Sequence, residues 1–121
     1  MSIVTILVED SEKIRATLIP TMEEMADVRV IAVAETAAQG VAAMEDHPEW
    51  QLIVIDLFLK EGTGLEVLRA AQSRGARRRA VVLTNYPTDE MRKRCSDLGA
   101  DAFFDKSAEL ELFFEYCAAA G

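Results

Sequence analysis

Histidine and cysteine are scarce in this chain: one of the first and two of the second in 121 residues. Cys95 and Cys117 do not form a CxxC pair, and His47 stands alone, so no zinc centre of Cys and His ligands can be assembled. Two unpatterned thiols read as small buried hydrophobes, and His47 as a solvated residue at a helix end. No apolar run is long enough to span a membrane, and the N-terminus lacks a basic-then-apolar secretory pattern. Cationic residues are also in short supply. Thirteen Lys and Arg against twenty-one Asp and Glu give a net charge of -8, which weighs against nucleic-acid binding. The one basic run, Arg77-Arg78-Arg79, precedes a strand and reads as a solvated loop. These features predict a cytoplasmic protein of one domain, residues 1–121.

What is present is organised around Leu52-Ile53-Val54-Ile55-Asp56-Leu57-Phe58, an apolar run interrupted by one carboxylate. Short, β-branched and non-alternating, it predicts a strand buried on both faces over residues 52–56 or 57. Similar runs predict strands over Ile3–Val8, Val28–Ala34, residues 80–84 and residues 101–104.

Helices are expected between them. The first follows Asp10 or Ser11 as cap, carries Ile14, Leu18, Met22 and Met25 inward, and kinks at Pro20. The second opens at the Thr36–Gln39 capping box and stops near His47, before Pro48; the third opens at Thr63–Glu66 and closes near Gly75. The fourth runs from Pro87-Thr88-Asp89 to Leu98-Gly99. The fifth is capped by Ser107, with Leu110, Phe113, Phe114 and Cys117 inward. Trp50 is expected to cover the edge of the core.

Five alternations predict an α/β fold of flavodoxin-like (βα)5 type, doubly wound, with parallel strand order 2-1-3-4-5. In such sheets the site lies beyond the carboxyl ends of the strands. Those ends carry Glu9 and Asp10, Asp56, Thr84, and then Lys106. Three carboxylates in one place repel one another, and a hard divalent cation such as magnesium relieves this. A metal, a lysine, a hydroxyl and an in-line carboxylate are the parts of phosphoryl transfer, with Asp56 as nucleophile.

Taken together, Val8-Glu9-Asp10-Ser11, Asp56-Leu57 with Gly64 eight residues on, Thr84-Asn85, and Gly99-Ala100-Asp101-Ala102-Phe103-Phe104-Asp105-Lys106 resemble the receiver domain of two-component response regulators. The resemblance covers the whole chain. It implies that Asp56 accepts a phosphoryl group from a histidine kinase or phosphotransfer protein. It implies that Glu9, Asp10, Asp56 and the backbone carbonyl of Phe58 hold Mg2+, and that Lys106 pairs with the phosphoryl group. Thr84 and Phe103 match the hydroxyl and aromatic of the switch. Helix four, strand five and helix five form the readout face toward a downstream target, an output domain or a second copy. Such a domain catalyses only its own phosphorylation and dephosphorylation.

The chain departs from the family pattern at Leu59-Lys60, where Met-Pro is common, and at Ser107, where proline follows the lysine. Phe58 and Tyr86, each two residues beyond a key position, flank the acyl phosphate by the same resemblance. Two aromatics there are expected to shield it from water and lengthen its lifetime. On helix five, Leu112 and Tyr116 share a face and are expected either to dock a partner or to fold onto the core edge.

Three competing readings follow from the same residues. An Asp-nucleophile phosphatase would place a second Asp two residues on, where Phe58 stands. A flavodoxin-type module would meet repulsion from Glu9 and Asp10, and no GxGxxG is present. A phosphorylation-independent docking module would keep the fold without the chemistry. The chain ends straight after helix five, so it is expected to act through protein contacts or to be part of a longer regulator.

Overall fold

The computed structural model describes residues 2–120. Its five strands are β1 (Ile3–Val8), β2 (Val28–Ala34), β3 (Leu52–Ile55), β4 (Arg79–Thr84) and β5 (Ala102–Asp105). They alternate with α1 (Glu12–Met25), α2 (Ala37–Asp46), α3 (Gly64–Ala71), α4 (Asp89–Asp97) and α5 (Leu110–Ala119). The strands form one parallel sheet in the order β2-β1-β3-β4-β5, as expected for the flavodoxin-like fold.

The apolar runs do not alternate because both faces of the sheet are covered. Leu7, Leu52, Val54 and Val81 pack on one side against Leu18 and Met22 of α1 and Phe113 and Cys117 of α5. Ile6, Val8, Ile53, Ile55 and Val82 pack on the other against Ala37, Val67, Leu68 and Cys95 of α2, α3 and α4. Each fully buried aliphatic side chain contributes about 1.5–3 kcal/mol of transfer free energy. Trp50 is buried in the second cluster, and both thiols are free and buried, as predicted.

Several local expectations are corrected. The strand centred on Val54 ends at Ile55 rather than at residue 56 or 57. The Asp56 N–H still bonds the Val8 carbonyl at 2.9 Å, but the next N–H, of Leu57, turns to Asp56 Oδ1 at 2.8 Å and leaves the ladder. The first helix contains Pro20, as expected, and is continuous from Glu12 to Met25. Pro20 has no N–H to offer the Ala16 carbonyl, and Ala16 is exposed. Met25 is exposed rather than inward; Ala26, one residue on, takes the buried position.

Ser107 does not cap the last helix. Residues 106–108 form a turn, and the helix begins at Leu110 behind Glu109. The Ser107 N–H donates to Asp105 Oδ1 at 2.8 Å and its hydroxyl donates to Asn85 Oδ1 at 3.3 Å, both within the turn that precedes the helix. With the first turn displaced, Leu110 is 37% exposed and not part of the inner stripe. The Leu112–Tyr116 pair is also split: Tyr116 packs beside Phe104 at the core edge, and Leu112 stays in solvent. Arg78 is no free loop residue either. Its guanidinium lies 4.7 Å from the Trp50 ring, and Nε donates to the Trp50 carbonyl at 3.0 Å. No helix among the described residues is long and apolar enough to cross a membrane.

Candidate functional site

Parallel pairing lines up the carboxyl ends of the strands. Val8 stands opposite Ala34 on one side and Ile55 on the other, so the residues after β1 and β3 emerge side by side. Ser11, not Asp10, caps α1, accepting from the Ile14 N–H at 3.2 Å. Asp10 is thereby released from capping. One carboxylate oxygen each from Glu9, Asp10 and Asp56 then lie within 4.8 Å of one another.

Lys106 leaves β5 directly toward this cluster. Its Nζ donates to Glu9 Oε1 and, at 3.0 Å, to Asp56 Oδ2. The Lys106 side chain is 9% exposed, so the ammonium exchanges its water for two carboxylates. Burial alone would lower the Lys106 pKa, but the hydrogen bond to Glu9 and the charges of Asp56 and Glu9 outweigh it and raise it. Burial pushes the Glu9 carboxyl up, against hydrogen bonds from Lys106 and the Ser11 N–H. Breaking such a buried pair strands the remaining charge at a cost of about 3–5 kcal/mol.

The donor set fits magnesium. All three carboxylates offer hard oxygen, and oxygens across an octahedral magnesium stand about 4.2 Å apart. The observed spread of up to 4.8 Å closes with small side-chain movement. Three negative groups against one ammonium leave the cluster net anionic, which favours a divalent cation. Asp10 is the least engaged of the three, since no described residue bonds its carboxylate.

Around this centre the other predicted residues take distinct places. Thr84 is fully buried at the end of β4, and its Oγ1 accepts the Tyr86 N–H at 3.1 Å. Phe58 and Tyr86 are exposed, and their rings meet edge-on with centroids 4.3 Å apart. Phe103 is not at the acids; it packs from β5 onto the α2–α3–α4 side of the sheet, while Phe104 packs on the opposite side. Arg92 of α4 covers the Phe103 ring. The Asp56 loop is held by Gly64, whose N–H donates to the Leu57 carbonyl at 2.8 Å. A Cβ on Gly64 would meet the Asp56 carbonyl oxygen at 2.3 Å, so this close approach requires glycine. The Lys106–Ser107 peptide is trans.

Two residues near the site escape a reading of the strand ends. Arg15 of α1 donates through Nη1 to the Glu9 carbonyl at 2.7 Å and pairs with Glu35 Oε2 at 3.0 Å. Glu35 follows β2, and its carbonyl accepts the Lys60 N–H at 3.2 Å. The available signal was an arginine three residues before the buried Leu18, on the edge of an otherwise apolar helix face.

Comparison with known proteins agrees with this architecture. The family model described as "Response regulator receiver domain" matches residues 5–117. The acid tolerance regulatory protein ActR of Rhizobium meliloti (strain 1021) is 33% identical over 81 residues, 67% of this chain and 41% of that protein. The photosynthetic apparatus regulatory protein RegA of Cereibacter sphaeroides is 31% identical over 104 residues, 86% of this chain and 55% of that protein. The chain thus spans about half the length of the curated relatives it matches. A LuxR-family DNA-binding response regulator from Staphylococcus aureus superposes with a TM-score of 0.87 at 17% identity, over 98% of both chains. At that identity the likeness speaks for the fold alone.

Proposed function

The chain belongs to the response regulator receiver domain family, and from that premise we propose that Asp56 is the phospho-acceptor of a magnesium-dependent signalling switch. The observation that carries this reading is the convergence of Glu9, Asp10 and Asp56 around a position that Lys106 already neutralises in part. The whole stretch 1–121 is read as one receiver domain, cytoplasmic, with a sensor histidine kinase or phosphotransfer protein as donor.

In the reaction, an Asp56 carboxylate oxygen attacks the phosphorus of the donor phosphohistidine. A P–O bond forms, the P–N bond breaks, and the electron pair leaves with the imidazole. Lys106 swings its ammonium from the carboxylates toward the arriving oxygens. Glu9, Asp10, Asp56 and the Phe58 backbone carbonyl would hold Mg2+, which supplies further neutralisation of the phosphoryl oxygens when bound. Phe58 stands where a phosphatase would need its acid, so the acyl phosphate is released only by slow hydrolysis. The domain thus acts on itself and not on a separate metabolite.

The signal then passes through Thr84. Its hydroxyl exchanges the Tyr86 N–H for a phosphoryl oxygen, and the space it leaves draws Phe103 inward. That movement remodels α4, β5 and α5, the face offered to a downstream protein, an output domain or a second copy.

Intact mass after incubation with acetyl phosphate and magnesium tests this. One phosphoryl group should add to the wild type, and none to Asp56→Asn or without magnesium. A folded wild-type protein that gains no mass and binds no magnesium would instead support a phosphorylation-independent docking module.

A further inference from the structure

Arg15 belongs to no strand end, yet it reaches the backbone between two of the acidic residues. Its Nη1 donates to the Glu9 carbonyl at 2.7 Å, and the same nitrogen lies 3.0 Å from the Glu35 carboxylate. The Arg15 side chain is 15% exposed and that of Glu35 32%, so the pair is partly removed from water. Glu35 is itself fixed. Its N–H donates to Gln39 Oε1 at 2.8 Å, its carbonyl accepts the Lys60 N–H at 3.2 Å, and Lys60 Nζ lies 3.8 Å from its carboxylate. The result is a tie from α1, through the end of β2, to the loop that follows Asp56.

The carbonyl of Glu9 is one edge of the rigid peptide that joins Glu9 to Asp10. Fixing its direction fixes ψ of Glu9 and φ of Asp10 together. The two side chains leave the backbone on either side of that plane. Glu9 has other restraints, in Lys106 and the Ser11 N–H, the latter at 3.1 Å. Asp10 has none from the described residues, so its aim depends on its backbone alone.

We infer that Arg15, oriented by Glu35, is a positioning residue that sets the Glu9–Asp10 peptide and thereby presents the Asp10 carboxylate to the divalent cation. The inference rests on the magnesium reading above. Partners one step behind a metal ligand typically change affinity 10- to 100-fold when removed. Lysine in place of Arg15 keeps the charge and a donating nitrogen, but on a shorter, more flexible stem that holds the two acceptors less firmly.

The test is a calorimetric titration of the chain with magnesium chloride alone, without phosphodonor, alongside urea midpoints. Arg15→Ala should raise the magnesium Kd about tenfold. Arg15→Lys should fall between it and wild type, and Glu35→Gln should weaken binding less than Arg15→Ala. A folded Arg15→Ala with a Kd within twofold of wild type overturns the inference. If Arg15→Ala does not fold, Arg15→Lys decides: an unchanged Kd overturns it, and a several-fold weaker one supports it. Equal losses in urea midpoint with unchanged Kd values would make the pair a fold-stabilising salt bridge only. A wild type that binds no magnesium fails the functional reading itself, and is told apart because the defect appears before any substitution.

Discussion

The guanidinium carbon of Arg92 lies 4.8 Å from the ring centroid of Phe103. Arg92 also pairs with Glu109 at 3.3 Å, and Glu109 Oε1 accepts the Asp105 N–H at 2.9 Å. One arginine on α4 therefore covers the proposed switch aromatic and links it to the turn before α5. A cation over a partly exposed ring contributes about 0.5–1 kcal/mol. An exposed ion pair adds about 0.2–1 kcal/mol. Both favour the present position of Phe103.

Removing that cover should shift the switch toward its inward state, by roughly two- to fivefold for a change of about 0.5–1 kcal/mol. By the proposed coupling of phosphorylation to the inward state, Arg92→Ala should raise the phosphorylated fraction at sub-saturating acetyl phosphate by the same factor. Phe103 ring resonances should report the shift without phosphodonor. Unchanged resonances and an unchanged fraction would sink the idea.

The exposed Phe58 and Tyr86 rings meet edge-on with centroids 4.3 Å apart, each two residues beyond a residue of the proposed site. Neither ring can orient a water for attack on an acyl phosphate as an amide or carboxylate could. Phe58→Asn and Tyr86→Ala should each speed dephosphorylation about tenfold, equivalent to roughly 1.4 kcal/mol of barrier. Decay of the phosphorylated mass after removal of acetyl phosphate measures this. Rates equal to wild type would remove the shielding role.

Gly64 is where the fold constrains the site most tightly. A Cβ there would sit 2.3 Å from the Asp56 carbonyl oxygen and 2.8 Å from Ile55 Cγ2, one of them backbone and neither easily moved. Gly64→Ala should lower stability by about 1–3 kcal/mol. It should also slow phosphorylation, because relief of the clash moves Asp56. A urea midpoint and an initial phosphorylation rate both at wild-type values would contradict this.

Much of this was legible in the sequence, for a physical reason. Strands buried on both faces leave unbroken apolar runs, and the polar residue ending each run marks a position at the sheet's carboxyl edge. Glu9, Asp10, Asp56, Thr84 and Lys106 are all found that way. What was not legible depends on where the chain turns and on contacts between elements. Ser107 looks like a cap until the chain turns at residues 106–108 and the helix begins at Leu110. Leu110 fits the inner stripe until the turn at residues 106–108 displaces the helix start. Arg15 and Arg92 were missed because each acts across elements, on a carbonyl and on a ring, and periodicity along one helix does not encode a partner elsewhere in the chain.

The buried thiols give the chain a pH dependence separate from its signalling site. Burial pushes Cys95 up to about 11 and Cys117 to about 12, from an ordinary 9.0. Between these values the unfolded thiols lose their protons while the folded ones keep them. The folded state then binds more protons, so stability falls as pH rises. The contribution is complete below pH 9 and is lost progressively toward pH 11 for Cys95 and pH 12 for Cys117. Lys106 acts in the same direction, but only from its ordinary 10.5 upward, and Tyr116 from 10.0. A variant lacking both thiols but keeping Lys106 and Tyr116 isolates the thiol contribution between pH 8 and 10. Over that window the wild type should lose about 3 kcal/mol more than the Cys95→Ala, Cys117→Ala double variant, read as the change in urea unfolding free energy with pH. Absolute stabilities will differ because each alanine leaves a small cavity, so the slope and not the offset carries the test. Parallel slopes for the two proteins would mean that the thiols ionise in the folded chain as readily as in the unfolded one.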